Sequence, residues 1–181
     1  MALKATIFKV DLQLTDMDRH YYENHLLTIA RHPSETDERM MVRILAFALN
    51  ATENLEFTKG LSADDEPSIW GKSLSGEIET WIDVGLPDEK VIRKASGRAV
   101  QVVIYTYGGN AADIWWEQIK TKLNRFNNVT VINLPEINSQ ALAQLATRTM
   151  QLNCTIEDGQ VWIGDTLHTL EITPISLKQS L

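Results

Sequence analysis

The sequence predicts an α/β fold in which a mixed central β-sheet is flanked by helices. Residues 76–109 read as strand, helix and strand, the order that builds a parallel sheet. The later strand, VQVVIYTY, is a nearly continuous apolar run, which is typical of a central strand covered on both faces. At 181 residues and 44% hydrophobic content, the chain can bury one substantial core, so we expect a single domain over residues 1–181.

The amino-terminal segment predicts a β-hairpin followed by a helix. Alternating apolar residues indicate a strand over residues 5–14. Residues 20–30 are expected to return as a second strand, although their run LLTIA would equally begin a helix. Apolar residues at helical spacing predict an amphipathic helix over residues 35–50, and Ser34 followed by Asp37 has the pattern of a capping box.

The middle of the chain predicts three strands and a helix. LEFTKG, residues 55–60, and EIETWIDVG both have strand character, and SIWGKS between them is expected to form a brief edge strand. Pro87 suits the first position of the helix that follows.

The second half of the chain alternates helices and strands. We predict a helix at NAADIWWEQIKTKLNRF, a strand at NVTVINLP and a helix at EINSQALAQLATRTM. Asp158-Gly159, between MQLNCTIED and QVWIG, is the strongest hairpin-turn signal in the sequence. HTLEITPI is expected to add a last strand, which Pro174 confines to an edge or an end.

The composition narrows the class of protein. The 24 acidic residues outnumber the 17 basic ones, and this net negative charge disfavours a protein that coats duplex DNA or RNA. It does not exclude a nuclease, because carboxylates that hold a divalent metal also make a chain acidic. The lone Cys154 lies in an alternating run and is expected to pack as a small apolar side chain. No apolar run approaches the length of a membrane span, and the start of the chain lacks a signal-peptide pattern. We therefore expect a cytoplasmic protein that does not enter a membrane.

Three acidic positions are candidates for a metal site. They are Glu38 on the first helix, the loop Asp64–Asp65–Glu66, and Asp83 at the end of a largely apolar strand. A buried carboxylate must be paired or coordinated, and Mg²⁺ or Mn²⁺ prefers oxygen ligands. A loop with this many acids is also often simply solvated. Glu35 and Asp37, beside Glu38, are expected only to complement the helix dipole.

Basic residues follow Asp83 at helical spacing. Lys90 and Lys94 are four residues apart, so both lie on one side of the predicted helix. An ammonium group beside a metal-bound carboxylate would orient an attacking water or neutralise phosphate charge. Arg98 and Lys59 are the candidates for contacts with the substrate. The competing interpretation is a solvated helix face, which would show the same charges.

Several stretches together resemble the YaeQ family of bacterial proteins. They are MALKATIFK, IARHPSETDERMMVRILAF, FTKGLSADDEP, WIDVGLPDEKVIRKASGRA and IWWEQ, and they span nearly the whole chain. The resemblance implies a fold of the restriction-endonuclease-like PD-(D/E)XK superfamily, with a metal-binding acid pair and a lysine. It places a nuclease-like core at about residues 34–134, with added β-hairpins over residues 4–30 and 150–175.

The superfamily pattern implies roles for individual residues. Glu38 matches the acid on the first core helix, Asp65 the first motif acid, and Asp83 the second. Gly85 occupies the position of the motif lysine, which is a departure from the pattern. The pattern is complete only if the lysine has migrated to the following helix, where Lys94 or Lys90 would take its place.

The leading hypothesis is a Mg²⁺- or Mn²⁺-dependent phosphodiesterase acting on DNA or RNA. Asp83 and Asp65 would hold the metal, Glu38 would complete the shell or hold its water, and Lys94 would act on the nucleophile or the phosphate. The alternative is a catalytically inactive nuclease fold that binds nucleic acid or a protein. A structural or regulatory partner in transcription is a third class without a specific signal. The sequence does not give the oligomeric state, and a monomer is the favoured expectation.

Overall fold

A computed structural model describes residues 4–58 and 65–181, so the candidate residues Lys59 and Asp64 lie outside the described part of the chain. The described residues form eleven strands and four helices. The strands are β1 (Thr6–Asp16), β2 (Tyr21–Arg31), β3 (Leu55–Phe57), β4 (Ile69–Lys72), β5 (Ile78–Val84), β6 (Ala99–Thr106), β7 (Val129–Asn133), β8 (Thr149–Glu157), β9 (Gln160–Gly164), β10 (Thr169–Ile172) and β11 (Ile175–Lys178). The helices are α1 (Asp37–Asn50), α2 (Glu89–Arg98), α3 (Asn110–Leu123) and α4 (Glu136–Ala143).

The two ends of the chain meet in one five-stranded sheet, which we call the terminal sheet. Its order is β10-β9-β8-β1-β2, and the parallel pairing of β1 with β8 joins the amino-terminal and carboxy-terminal hairpins. The predicted hairpin turn is present, with positive φ at both Asp158 (52°) and Gly159 (76°). Two central residues with positive φ give the turn the twist that matches the flanking strands.

The other six strands form the central sheet, in the order β11-β7-β6-β5-β4-β3. Strands β5, β6 and β7 run parallel and are connected through α2 and α3, as the strand–helix–strand pattern predicts. Strand β6 has neighbours on both sides, in agreement with its apolar sequence. The prediction of an edge strand at SIWGKS is wrong, because β4 pairs with both β3 and β5.

Helix α1 lies between the two sheets. Every residue from Met40 to Ala48 is buried, although the sequence predicts an amphipathic helix. One core contains α1 together with the facing sides of both sheets, including the buried Cys154, and this double cover explains the difference. A helix that is covered all round shows little polar face.

Helices α2 and α3 cover the opposite face of the central sheet. Trp81 and Ile92 are members of this second core, which is separate from the core around α1. The central sheet is therefore covered on both faces, and the ends of its parallel strands lie between helix termini. No helix in the described ranges is long and apolar enough to cross a membrane.

Three predicted helix boundaries differ from the structure. The side chain of Thr36, rather than Ser34, caps α1 by accepting a hydrogen bond from the amide of Arg39 at 3.1 Å. Asp88 caps α2, so Pro87 precedes the cap instead of occupying the first helical position. Helix α4 ends at Ala143, well before the predicted end, because the chain must enter β8.

Candidate functional site

Asp83 lies near the end of β5, on the side of the sheet that faces α2. Trp81 points to the same side, and its indole Nε1 donates a hydrogen bond to Asp83 Oδ2 at 2.9 Å. The main-chain amide of Ser68 donates a second hydrogen bond to the carboxylate. Burial raises the pKa of Asp83 above its ordinary value, against the opposing effect of both donors. The chain thus keeps a half-buried carboxylate in a place that favours its neutral form.

Arg39 approaches the same strand end from α1. Its Nη2 donates to Ser68 Oγ at 3.1 Å and to the carbonyl of Val84 at 3.4 Å. Its positive charge lowers the pKa of Asp83. Arg39 therefore connects the amino-terminal end of α1 with the end of β5.

A buried carboxylate holds Arg39 in position. Glu35 forms ion pairs with both Arg39 and Arg43. The distance from Arg43 Nη2 to Glu35 Oε1 is 2.6 Å. The side chains of Glu35 and Arg43 are each only 1% exposed. Glu35 was expected only to complement the helix dipole, but it is the centre of a buried triad. Arginine forms such multiple hydrogen bonds to carboxylates because its donors are fixed in a planar fork.

Asp65 and two basic residues of α2 form a more exposed group beside Trp81. The Lys94 ammonium donates to the Asp65 carboxylate, and Arg98 Nη1 donates to the Asp65 carbonyl at 2.7 Å. The hydrogen bond from Lys94 and its charge lower the pKa of Asp65. The side chains of Asp65 and Lys94 are 76% and 50% exposed. Lys94 thus contacts Asp65, the acid in the loop between β3 and β4.

Trp81 connects this exposed group to Asp83. The Arg98 guanidinium lies over the Trp81 ring, 5.1 Å from its centroid, while the indole nitrogen donates to Asp83. Stacking on an aromatic face orients an arginine without neutralising it. We call the connected set the Asp83 cluster; its members are Arg39, Asp65, Trp81, Asp83, Lys94 and Arg98.

The other predicted site residues lie at varying distances from these contacts. Glu38 is half-buried, and its Oε1 accepts a hydrogen bond from Ser139 Oγ of α4 at 2.7 Å. Lys90 is exposed and forms no ion pair with another residue of the described part. Glu66 is also half-buried. Among residues 4–58 and 65–181, no three His, Cys, Asp or Glu side chains are grouped to hold a metal ion.

Gly85, the residue that the superfamily pattern would replace by lysine, has an unusual backbone conformation. Its φ is +122°, a value that residues with side chains rarely adopt, although a Cβ there would meet nothing within 4 Å. Its amide donates to the Tyr105 carbonyl at 2.9 Å, which extends the contact between β5 and β6. A lysine at this position would be strained for backbone reasons.

Sequence reasoning missed Arg39, Ser68 and the connecting role of Trp81. For Arg39 a signal existed, since Glu35 and Arg39 are one helical turn apart and adjacent to a cap. Nothing in the sequence indicates that Ser68 would contact Asp83, because that contact depends on the pairing of β4 with β5.

The chain is similar to known bacterial proteins along its whole length. The family model described as "YaeQ protein" matches residues 1–174. The "Uncharacterized protein YaeQ" of Escherichia coli (strain K12) is 45% identical over 179 residues, covering 99% of both chains. The protein of the same description from Salmonella typhi is 46% identical over 179 residues, with 99% of both chains covered.

Two solved structures have the same fold. The crystal structure of YaeQ protein from Xanthomonas axonopodis pv. citri has a TM-score of 0.94 and 45% identity, and covers 98% of this chain and 99% of its own. That of YaeQ protein from Pseudomonas syringae has a TM-score of 0.93 and 36% identity, with 97% of both chains covered. The chain therefore belongs to the YaeQ family.

Proposed function

We propose that the chain is a Mg²⁺- or Mn²⁺-dependent phosphodiesterase of the PD-(D/E)XK type that cleaves nucleic acid in the cytoplasm. The observation that carries the proposal is the environment of Asp83. A half-buried carboxylate is unfavourable unless it is paired or coordinated, and burial keeps the pKa of Asp83 raised despite two hydrogen-bond donors. Carboxylates with such perturbed pKa values are concentrated at functional sites, so the environment of Asp83 favours a functional role.

In this proposal Asp83 and Asp65 hold a metal ion that is bound together with its substrate. Magnesium is usually held by one or two carboxylates and by phosphate oxygens of the substrate, rather than by a complete cage of protein ligands. This agrees with the lack of a three-acid group among the described residues. When bound, the metal would polarise a phosphoryl oxygen and lower the pKa of water. Glu38 is proposed to hold that water. Asp64 and Glu66 are further candidate acids of the same site.

The cations of the Asp83 cluster suit a phosphodiester. The pair between Lys94 and Asp65 is exposed, so it contributes little to stability and can exchange for a phosphate at small cost. Arg98 is oriented by its contact with the Trp81 ring, which leaves its charge available. In this proposal Lys94 steadies the phosphate or orients the nucleophile, and Lys90, Lys59 and Arg98 contact the backbone of the substrate.

The test is a cleavage assay on labelled single- and double-stranded DNA and RNA, with Mg²⁺, with Mn²⁺ and with EDTA. We expect metal-dependent cleavage of at least one substrate, which Asp83→Asn abolishes while the fold persists. The matched control is Glu157→Gln, which alters an exposed acid at the end of β8 in the other sheet. Full activity of Asp83→Asn would refute the assignment of the site.

A second candidate function is binding of nucleic acid without cleavage. Two observations favour it: Gly85 replaces the motif lysine, and Lys94 forms an ion pair with the acid that would hold the metal. In that case the same substrates bind with a strong dependence on salt, are never cleaved, and bind equally well in EDTA. Loss of binding in EDTA would favour the metal-dependent enzyme instead.

A further inference from the structure

Strand β2 forms an edge of the terminal sheet that differs from the other edges in the described part of the chain. It is 11 residues long, and its register with β1 is uninterrupted from Tyr21 to Arg31. The other edge strands are short: β3 has 3 residues, and β10 and β11 have 4 each. Strand β11 also follows Pro174 and has an irregular register with β7. Natural sheets usually shorten, bend or interrupt their edges to prevent pairing with other chains.

The backbone groups of β2 that point away from β1 belong to its even-numbered residues. The Lys9 amide donates to the Arg148 carbonyl, so the odd-numbered residues of β1 direct their backbone toward β8. The even-numbered residues of β1 then bond to their partners in β2, such as Val10 to Leu27. The backbone N–H and C=O groups of the remaining residues of β2 face away from the sheet. These residues are Tyr22, Asn24, Leu26, Thr28 and Ala30. The Ala30 carbonyl, near one end of the strand, already accepts a hydrogen bond from Arg43 Nη2 at 3.2 Å.

The side chains of the same residues stand on the outer face of the terminal sheet, turned away from α1. Leu26 is 79% exposed and Tyr22 is 56% exposed. The odd-numbered residues face the other way, toward the core, where Ile29 is fully buried. The outward-pointing backbone groups of β2 and its exposed apolar side chains thus belong to the same set of residues.

We propose that a second copy of this chain pairs antiparallel with β2 about a two-fold axis through Leu26. Tyr21 of each copy then lies opposite Arg31 of the other, so all 11 residues of the strand are paired. In this register, residues whose backbone groups point outward lie opposite each other: Leu26 faces Leu26, and Asn24 faces Thr28. The two terminal sheets become one continuous ten-stranded sheet, with an isologous interface.

The charges of β2 agree with this register. Glu23 and Arg31 are its only acidic and basic residues besides His25. In the antiparallel pair Glu23 faces Ile29 and lies diagonally across from Arg31, so no like charges are opposed. Asn24 and Thr28, which face each other, are both capable of hydrogen bonding. The register that joins the whole strand is therefore also free of electrostatic conflict.

The proposed interface is small, so the dimer is expected to be weak. A single strand pair with its rim lies at the low end of the area that specific interfaces bury, on the order of 1,000 Å². We expect a dissociation constant in the micromolar range, about 1–100 µM. The dimer replaces the monomer expected from the sequence and is independent of any nuclease activity.

Sedimentation velocity over about 1–200 µM of the full chain tests the proposal in the range where such an interface dissociates. We expect a monomer–dimer equilibrium that Leu26→Lys weakens by about tenfold or more, since like charges then face each other at the axis. The matched control is Leu74→Lys at another exposed leucine, which should leave the equilibrium unchanged. A monomer throughout this range, or a dimer that Leu26→Lys does not weaken, would overturn the proposal.

A second variant tests the register itself. Residues facing each other in a bonded antiparallel pair have Cα atoms about 5.5 Å apart, within the range that a disulfide spans. Leu26→Cys is therefore expected to form a cross-linked dimer on mild oxidation, whereas Leu74→Cys is not. The native Cys154 is buried and does not compete. Failure of Leu26→Cys to cross-link at concentrations where the wild type is dimeric would rule out this register.

Discussion

Two clusters of carboxylates and cations flank Asp83, and they differ in their access to solvent. Glu35, Arg39 and Arg43 form a triad in which the central acid is 1% exposed. Asp65 and Lys94 form a pair whose side chains are more than half or about half exposed. The first cluster is closed off from solvent, whereas the pair in the second is open to it. In the proposed site, the buried cluster positions Arg39 and the exposed pair supplies the lysine that contacts the phosphate.

This difference in burial predicts which residues of the region stabilise the fold and which are available to bind a ligand. Removing a partner from a buried ion pair leaves an uncompensated charge in a medium of low polarity, which is strongly destabilising. Removing a partner from an exposed pair changes stability little, because water replaces it. Substitutions in the two clusters should therefore separate stability from ligand binding.

The largest effect is expected for Arg43→Met. Loss of this guanidinium leaves Glu35 buried with only Arg39, so the free energy of unfolding should fall by about 3–5 kcal/mol. Urea denaturation followed by circular dichroism measures the change. The matched control is Arg125→Met, because Arg125 pairs with Glu89 at the surface and should cost less than about 1 kcal/mol. Equal effects of the two substitutions would show that burial does not distinguish the clusters.

Trp81→Phe should have an intermediate effect. The phenyl ring keeps much of the packing but loses the donor to Asp83, which lowers the free energy of unfolding by about 1.5–3 kcal/mol. Loss of that donor should also raise the pKa of Asp83 further. Titration of the Asp83 carboxyl signal by NMR measures this second change. An unchanged pKa would mean that the indole does not stabilise the carboxylate.

The sequence predicts the elements of this region better than their contacts. The patterns around β5, α2 and β6 reproduce the order and pairing that the structure has, because hydrophobic periodicity depends on local burial. They do not reveal that α1 is covered by two sheets or that β4 is internal, since both depend on which distant strands pair. The one-turn spacing of Glu35 and Arg39 was visible in the sequence, but the contact of Arg39 with the end of β5 depends on the same pairings. Asp65, Asp83, Lys94 and Arg98 were predicted as candidates from the sequence.

Asp83→Asn tests the cost of the buried carboxylate through pH. The folded-state pKa of Asp83 is raised above its ordinary value of 3.8, mainly by burial. The protonated form therefore contributes stability that is fully present below pH 3.8 and is lost as pH rises through the raised pKa. Relative to Asp83→Asn, the metal-free wild type should lose stability across this window and then level off. A difference between the two proteins that does not vary with pH would contradict the raised pKa.

The smallest effect on stability is expected for Lys94→Ala. Its pair with Asp65 is exposed and contributes little to stability, so denaturation should hardly change. Binding of an oligonucleotide should nevertheless weaken. The slope of log Kd against the logarithm of the salt concentration should decrease by the amount that about one phosphate contact contributes. Fluorescence anisotropy at several salt concentrations measures both quantities. A large loss of stability would indicate that Lys94 is structural.

The central claim is that Asp83 and Lys94 serve a single site. A double-mutant cycle with Asp83→Asn and Lys94→Ala, read out as the oligonucleotide Kd in Mg²⁺, tests it directly. If both residues act on the same metal-bound phosphate, the two effects should deviate from additivity by more than about 0.5 kcal/mol. Additive effects, or no oligonucleotide binding by the wild type, would contradict the claim.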